Sequence, residues 1–206
     1  MDYKKIKKIW KKVWHFIWED DSLLSWIVNI ILAFVLIKYL IYPGLGLLLG
    51  TPYPVVAVMS SSMEHNGDFD SWFSSPADCG RRCTQKEFYL QYNITKEEFM
   101  KFPFKNGFNK GDIMVLIKPT NIKIGDVVVF WSARKYPIIH RVIAEKDGIY
   151  QTKGDHNTQS IQNIHLNEFN VKKEQLVGKA VFRIPLLGYI KIAFVEVIDF
   201  FKGMII

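Results

Sequence analysis

Ser60, Ser61 and Ser62 stand in a row ahead of Met63, where the apolar run 55–59 breaks off. Three hydroxyls at the end of a strand-like run are material for a nucleophile. A serine hydroxyl is weak in that role until a base removes its proton. Histidines occur at 15, 65, 140, 156 and 165. His140 lies inside an apolar run, Ile138-Ile139-His140-Arg141-Val142-Ile143, and a satisfied core histidine is the plain reading of such a position unless something else points to it. His65, close after the serines, falls in loop-like sequence, where a structural role is expected. His156 and His165 flank polar sequence, and His15 belongs to a basic N-terminal segment.

A second signal does point to His140. Asp147-Gly148 between two β-like runs marks a two-residue hairpin turn. With those two as the turn, Lys146 faces Ile149, and further along the ladder His140 faces Asp155. Directly opposed residues have Cβ atoms about 4.5–5.5 Å apart. The register therefore predicts that Asp155 accepts a hydrogen bond from one imidazole nitrogen and leaves the other to take the serine proton, the logic of a triad. A bulge or a one-residue slip would undo that pairing. A lysine base must be desolvated to be neutral near pH 7, and Lys135 and Lys153 both stand in polar sequence.

The elements that must carry these residues begin with an uneven charge. The chain has 206 residues and a formal charge of +7. Lys4, Lys5, Lys7, Lys8, Lys11 and Lys12 against Asp2 supply +5 of it. A nucleic-acid partner would call for basic residues spread over a folded face, so none is expected. Ile6, Ile9, Trp10, Val13, Trp14 and Ile17 recur at helical spacing opposite the lysines. Residues 1–19 thus read as a basic amphipathic helix on the cytoplasmic membrane face. Residues 20–42 then form an apolar span of about the 20 residues a membrane helix needs, with Pro43, Gly44 and Gly46 expected to end it. A cleaved leader is disfavoured by the length of the run and the lack of an Ala-x-Ala site. The lysine cluster predicts a cytoplasmic N-terminus and an outer C-terminal domain.

Beyond the span, residues 43–190 read as a mainly β domain. The runs 54–59, 112–118, 126–131, 137–145, 148–153 and 177–184 are rich in Val, Ile, Phe and Tyr and bounded by Gly, Pro, Asn or Asp. Residues 64–110 interrupt them as an insertion, either a substrate-facing lid or a tolerated surface excursion. Within it, Thr95 opens a capped helical stretch. Cys79 and Cys83 suit a small disulfide loop if the domain lies outside the membrane. Two cysteines without a second pair do not complete a zinc site, so no metal is expected. Residues 191–206 are apolar but carry Lys191, Glu196, Asp199 and Lys202, and read as an interfacial segment or a second span.

The order of anchor, Ser-x-Ser-Met, Lys-Gly-Asp, Gly-Asp-Val-Val-Val-Phe, Ile-His-Arg-Val and Thr-Lys-Gly-Asp-His-Asn resembles type I signal peptidases, in the archaeal and endoplasmic-reticulum branch that has His where bacterial enzymes have Lys. The resemblance implies a signal-peptidase-like β catalytic domain behind an N-terminal transmembrane helix. It makes Ser62 the nucleophile, His140 the general base and Asp155 the acidic partner. Ser60 takes the place of an oxyanion-binding hydroxyl, with the Ser62 backbone N–H as second donor. The implied activity is that of a membrane-bound serine endopeptidase removing N-terminal signal peptides from preproteins on the outer membrane face, with no cofactor. The implied partners are signal-peptide-bearing preproteins, membrane lipid and, as a candidate, the protein translocation machinery. His65 stands where the family usually has Pro, and residues 158–162 lack the second Asp often found there. Two alternatives stay open: a Ser–Lys protease, and a non-catalytic membrane-tethered β domain binding partners through its insertion.

Overall fold

The computed structural model describes residues 3–134 and 136–189. Lys135 and the apolar segment 191–206 lie outside the described residues. The chain divides into two units, residues 1–48 and 49–206.

In the first unit, α1 (Tyr3–Trp18) leads into α2 (Leu23–Leu36). Ser22 caps α2, its hydroxyl accepting from the Ser25 N–H. The helix does not stop at Tyr42. It passes through a π-helical turn, Ile37–Ile41, into α3 (Tyr42–Leu49). In that turn the Tyr42 N–H reaches back to the Ile37 carbonyl. Proline lacks an N–H and crowds the preceding turn, and a single π-turn inside an α-helix is a local adjustment of the ladder. Pro43 follows that turn directly, inside the continuous helix, where its missing N–H removes one bond of the ladder. The continuous helix Leu23–Leu49 has 27 residues, about 40 Å at 1.5 Å per residue, and is long and apolar enough to cross a membrane.

The second unit holds, among the described residues, a curled seven-stranded antiparallel sheet ordered β1-β4-β9-β5-β6-β7-β8. Its strands are β1 (Val55–Ala57), β4 (Ile113–Ile117), β5 (Val127–Phe130), β6 (Ile138–Lys146), β7 (Ile149–Lys153), β8 (Val171–Lys172) and β9 (Leu176–Ile184). Each of the six expected runs contains a strand. One sheet core gathers Val58, Met63, Met114, Leu116, Val127 and Val129. Another gathers Val128, Phe130, Val142, Leu166 and Val171.

The insertion is folded. It contains α4 (Phe69–Phe73), the hairpin β2 (Pro76–Asp78) and β3 (Arg82–Thr84), α5 (Gln85–Leu90) and α6 (Lys96–Phe99). Cys79 and Cys83 are joined in a disulfide across the hairpin. Thr84 and Thr95 form capping boxes with Glu87 and Glu98. Trp72, Phe73, Phe88, Tyr89 and Phe99 make an aromatic core that also takes in Ile143 of β6.

The β6–β7 hairpin turns at Asp147 and Gly148, both with positive φ, the conformation that an Asp-Gly turn favours. Lys146 pairs with Ile149 as the sequence predicts, and the register holds back to Ala144 opposite Gln151. It then slips. Val142 pairs with Thr152 and Arg141 with Lys153, leaving Ile143 as an extra residue. Ile143 is fully buried in the insertion's aromatic core, and that packing accounts for the bulge.

Candidate active site

The loop after β1 is pinned on both sides of the serines. Val58 exchanges backbone bonds with Asp112 and Gly111. Met63 is fully buried in the sheet core, and its carbonyl accepts from the Phe108 N–H. Ser62 is left half-exposed beside an anchored methionine. Its Oγ lies 2.9 Å from His140 Nε2 and 3.1 Å from Ser60 Oγ. Its carbonyl accepts from the His156 N–H at 2.9 Å. Ser61 is exposed.

His140 sits on β6 opposite Val128 of β5 and is almost wholly buried. Its Nδ1 lies 2.5 Å from Oε1 of Glu168. Thr152 Oγ1 donates to the same oxygen at 3.0 Å, and the Ile161 N–H donates to Oε2 at 2.8 Å. The Glu168 backbone is fixed as well, bonding to the Ile161 carbonyl and the Thr152 N–H. Glu168 is completely buried. With Nδ1–H donated to Glu168, His140 Nε2 is the nitrogen that faces Ser62 with a free lone pair. That is the tautomer a general base requires.

Asp155 does not meet His140. The bulge at Ile143 shifts the ladder by one, so that past Arg141 and Lys153 the backbone at Gly154 comes level with His140. Successive strand residues point to opposite faces, and Asp155 lies under Arg141. Arg141 Nε and Nη2 donate to its two carboxylate oxygens at 2.9 and 2.7 Å. The other guanidinium N–H groups go to the carbonyls of Pro103, Gly125 and Phe104, which uses all five donors. Asp155 also bonds His65 Nε2 at 3.0 Å and the Tyr89 hydroxyl at 3.2 Å. Burial alone would raise its pKa, but the Arg141 charge and the bonds from His65 and Arg141 outweigh it and hold the carboxyl well below the usual carboxylate range. His65, stacked on Trp72 with 3.6 Å between ring centres, belongs to this ion-pair cluster.

Lys153 does not stand in solvent. It is fully buried, over the rings of Phe88 and Tyr89, and burial pulls its pKa down to about 7. Its Nζ bonds Gln85 Oε1 and the carbonyls of Gly154 and Asp155, so its bonds run to the insertion and its own turn. Gly154 explains how close that turn comes. A Cβ there would stand 2.7 Å from the Ser62 carbonyl and 2.8 Å from His140 Nε2. His156 and His165 are both exposed. No group of three or more His, Cys, Asp or Glu side chains suited to a metal occurs among the described residues.

Sequence reasoning missed Glu168. The available signal was elimination: with no second Asp in 158–162, Glu168 is the one acidic side chain between Asp155 and Glu174.

A curled β-sheet behind an apolar helix, with a serine loop beside a strand histidine, is a signal-peptidase-like architecture. No family model matches the chain. Among curated proteins it is similar to the signal peptidase complex catalytic subunit SEC11 of Candida tropicalis, with 33% identity over 106 residues, 48% of this chain and 64% of that protein. The SEC11 subunit of Scheffersomyces stipitis is 27% identical over 175 residues, 81% of each chain. That of Debaryomyces hansenii is 35% identical over 102 residues, 45% of this chain and 61% of that protein. The chain is thus similar to SEC11-type signal peptidases, a relationship consistent with the eukaryotic and archaeal branch of type I signal peptidases.

Proposed function

We propose that this chain is a membrane-anchored serine endopeptidase that cleaves N-terminal signal peptides from preproteins, with its N-terminus cytoplasmic and its β domain on the outer membrane face. The relationship to SEC11 and the matching fold support a signal-peptide-cleaving role. The observation that carries the mechanism is the relay Ser62 Oγ···His140 Nε2···Glu168, with links of 2.9 and 2.5 Å.

Ser62 attacks the scissile carbonyl as His140 takes its proton. The tetrahedral oxyanion is met by the Ser62 N–H and the Ser60 hydroxyl. His140 then protonates the leaving amine, which departs as the new N-terminus of the mature protein and leaves an acyl-enzyme on Ser62. Water, deprotonated by His140, releases the signal peptide as a free carboxylate. Glu168 holds the imidazole in the required tautomer and stabilises the imidazolium that forms. The proposed partners are preproteins and membrane lipid, with the translocation machinery a candidate third.

The test is preprotein cleavage by the detergent-solubilised full chain. Ser62→Ala and His140→Ala are each expected to lower kcat by at least about 10³-fold, as removal of a triad member does. Cleavage by Ser62→Ala at the wild-type rate would refute the mechanism, and a wild-type chain that cuts no preprotein would favour a binding domain.

A further inference from the structure

The turn 153–157 touches both catalytic groups on one side and the insertion on the other. On the site side, His156 N–H bonds the Ser62 carbonyl, and Gly154 packs against His140 Nε2. On the outer side, Gln85 of α5 bonds twice: its Oε1 accepts from Lys153 Nζ at 2.8 Å, and its Nε2 donates to the Asn157 carbonyl at 3.0 Å. Trp72 Nε1 donates to the Asp155 carbonyl at 3.0 Å, and the Tyr89 hydroxyl donates to its carboxylate. The Asp78 N–H reaches the Thr158 carbonyl at 3.1 Å. Gln85, Tyr89 and Trp72 are all buried. Bonds to buried polar groups are expensive to leave unmade, so this contact is a fixed one.

We propose that the 64–110 insertion is an internal positioning element, in which Gln85, acting through Lys153 and Asn157, holds the Gly154–His156 turn against Ser62 and His140. Gln85 is a positioning residue. It touches neither reacting atom, and it sets the backbone that both reacting side chains lean on. A displacement of about 1 Å in such a support can cost on the order of 10²-fold in rate. Lys153 is the link with a signature of its own. It donates to three acceptors, the number an ammonium can satisfy and a neutral amine cannot. The groups acting on it are Asp155 and Glu168, which favour its charge, and Arg141, which opposes it. Tyr89 faces it with its ring. When the ammonium loses a proton it drops one bond, and the turn loosens.

This inference rests on the proposed peptidase reading for its activity readout, but not for its structural one. The experiment uses the full chain in detergent with Gln85→Leu, Gln85→Glu and Tyr89→Phe. Hydrogen exchange at the His156 and Asn157 amides needs no substrate. Both are expected to exchange at least about tenfold faster in Gln85→Leu, with the β5 amides unchanged. In cleavage assays Gln85→Leu is expected to lower kcat about tenfold or more with KM within about twofold. Gln85→Glu keeps an acceptor and adds a charge beside Lys153. It loses the donor to the Asn157 carbonyl, so it is expected to lower kcat, though less than Gln85→Leu does, and to move the alkaline limb of the kcat profile to higher pH. Tyr89→Phe removes one hydroxyl from the same contact and gives a milder gain in exchange. Unchanged protection of His156 and Asn157 in Gln85→Leu overturns the proposal whatever the activity does. A wild-type chain that cuts no preprotein would refute the peptidase reading while the exchange result still stands.

Discussion

Two buried acids compete for the role of orienting His140, and their surroundings separate them. Glu168 accepts from the imidazole, a hydroxyl and a backbone N–H, so replacing its carboxylate changes the tautomer preference of His140 while leaving most of its contacts. Glu168→Gln is expected to keep the fold and lower kcat by on the order of 10³–10⁴, the effect of the equivalent change in a triad. Asp155 instead neutralises a fully buried guanidinium. Removing one partner of a buried pair costs about 3–5 kcal/mol, so Asp155→Ala is expected to show its loss in thermal unfolding. The sign of the pH dependence follows. The folded pKa of Asp155 is depressed, so its contribution is complete above the unfolded carboxylate value, about 3.9, and fades as pH falls through the folded one. The Asp155→Ala variant should therefore lose most of the stability difference from wild type in strong acid. A kcat for Glu168→Gln equal to wild type, with Asp155→Asn inactive but normally stable, would reverse the assignment.

Among the elements, the β6–β7 hairpin shows what sequence could and could not convey. Its turn was legible because Asp-Gly accepts positive φ at both positions, and its first pairs followed from that turn. The bulge at Ile143 was not, because it arises from packing against an aromatic core built forty to seventy residues earlier. One extra residue moved Asp155 from the histidine face to the arginine face. Six strands were legible as β-branched runs between turn residues, β1 among them because its three residues lie in the apolar run 55–59. The strands β2, β3 and β8 were not, since they are two or three residues long and partly polar, and such segments pair only because their neighbours are already in place. Gly154 is where this hairpin meets the site, and its constraint is one of space. An added methyl would press on the Ser62 carbonyl and on His140 Nε2 at 2.7–2.8 Å, neither being the end of a flexible chain. Gly154→Ala is expected to lower kcat about 10²-fold while shifting the unfolding midpoint by only a few degrees. Near-wild-type turnover would mean that the turn does not set the Ser62–His140 distance.

For the whole molecule, the N-terminal unit supplies a helix long and apolar enough to cross a membrane. No residue of α1 is buried, and its lysines and its Trp10–Trp14 side occupy opposite faces. Two polar side chains in the otherwise apolar α2 are both spent on the end of α1. Ser25 Oγ donates to the Phe16 carbonyl at 2.6 Å, and Asn29 Nδ2 donates to the Ile17 carbonyl at 2.9 Å. Helix C-termini leave carbonyls without partners, and polar groups within an apolar span need partners; each need meets the other, and the corner between α1 and α2 is fixed. A helix held at that corner can lay its apolar side into the interface and its lysines on anionic headgroups, at about 1 kcal/mol per lysine. The same charges set the proposed orientation, since Lys near a span is retained on the cytoplasmic side. In sealed inside-out membrane vesicles, the β domain of the wild-type chain should resist added protease. Replacing Lys4, Lys5, Lys7, Lys8, Lys11 and Lys12 with Gln should make a measurable fraction of it digestible. The β domain of the wild type being digested in intact inside-out vesicles would place it on the cytoplasmic face, and with it would fall the proposal that it meets preproteins on the outer one.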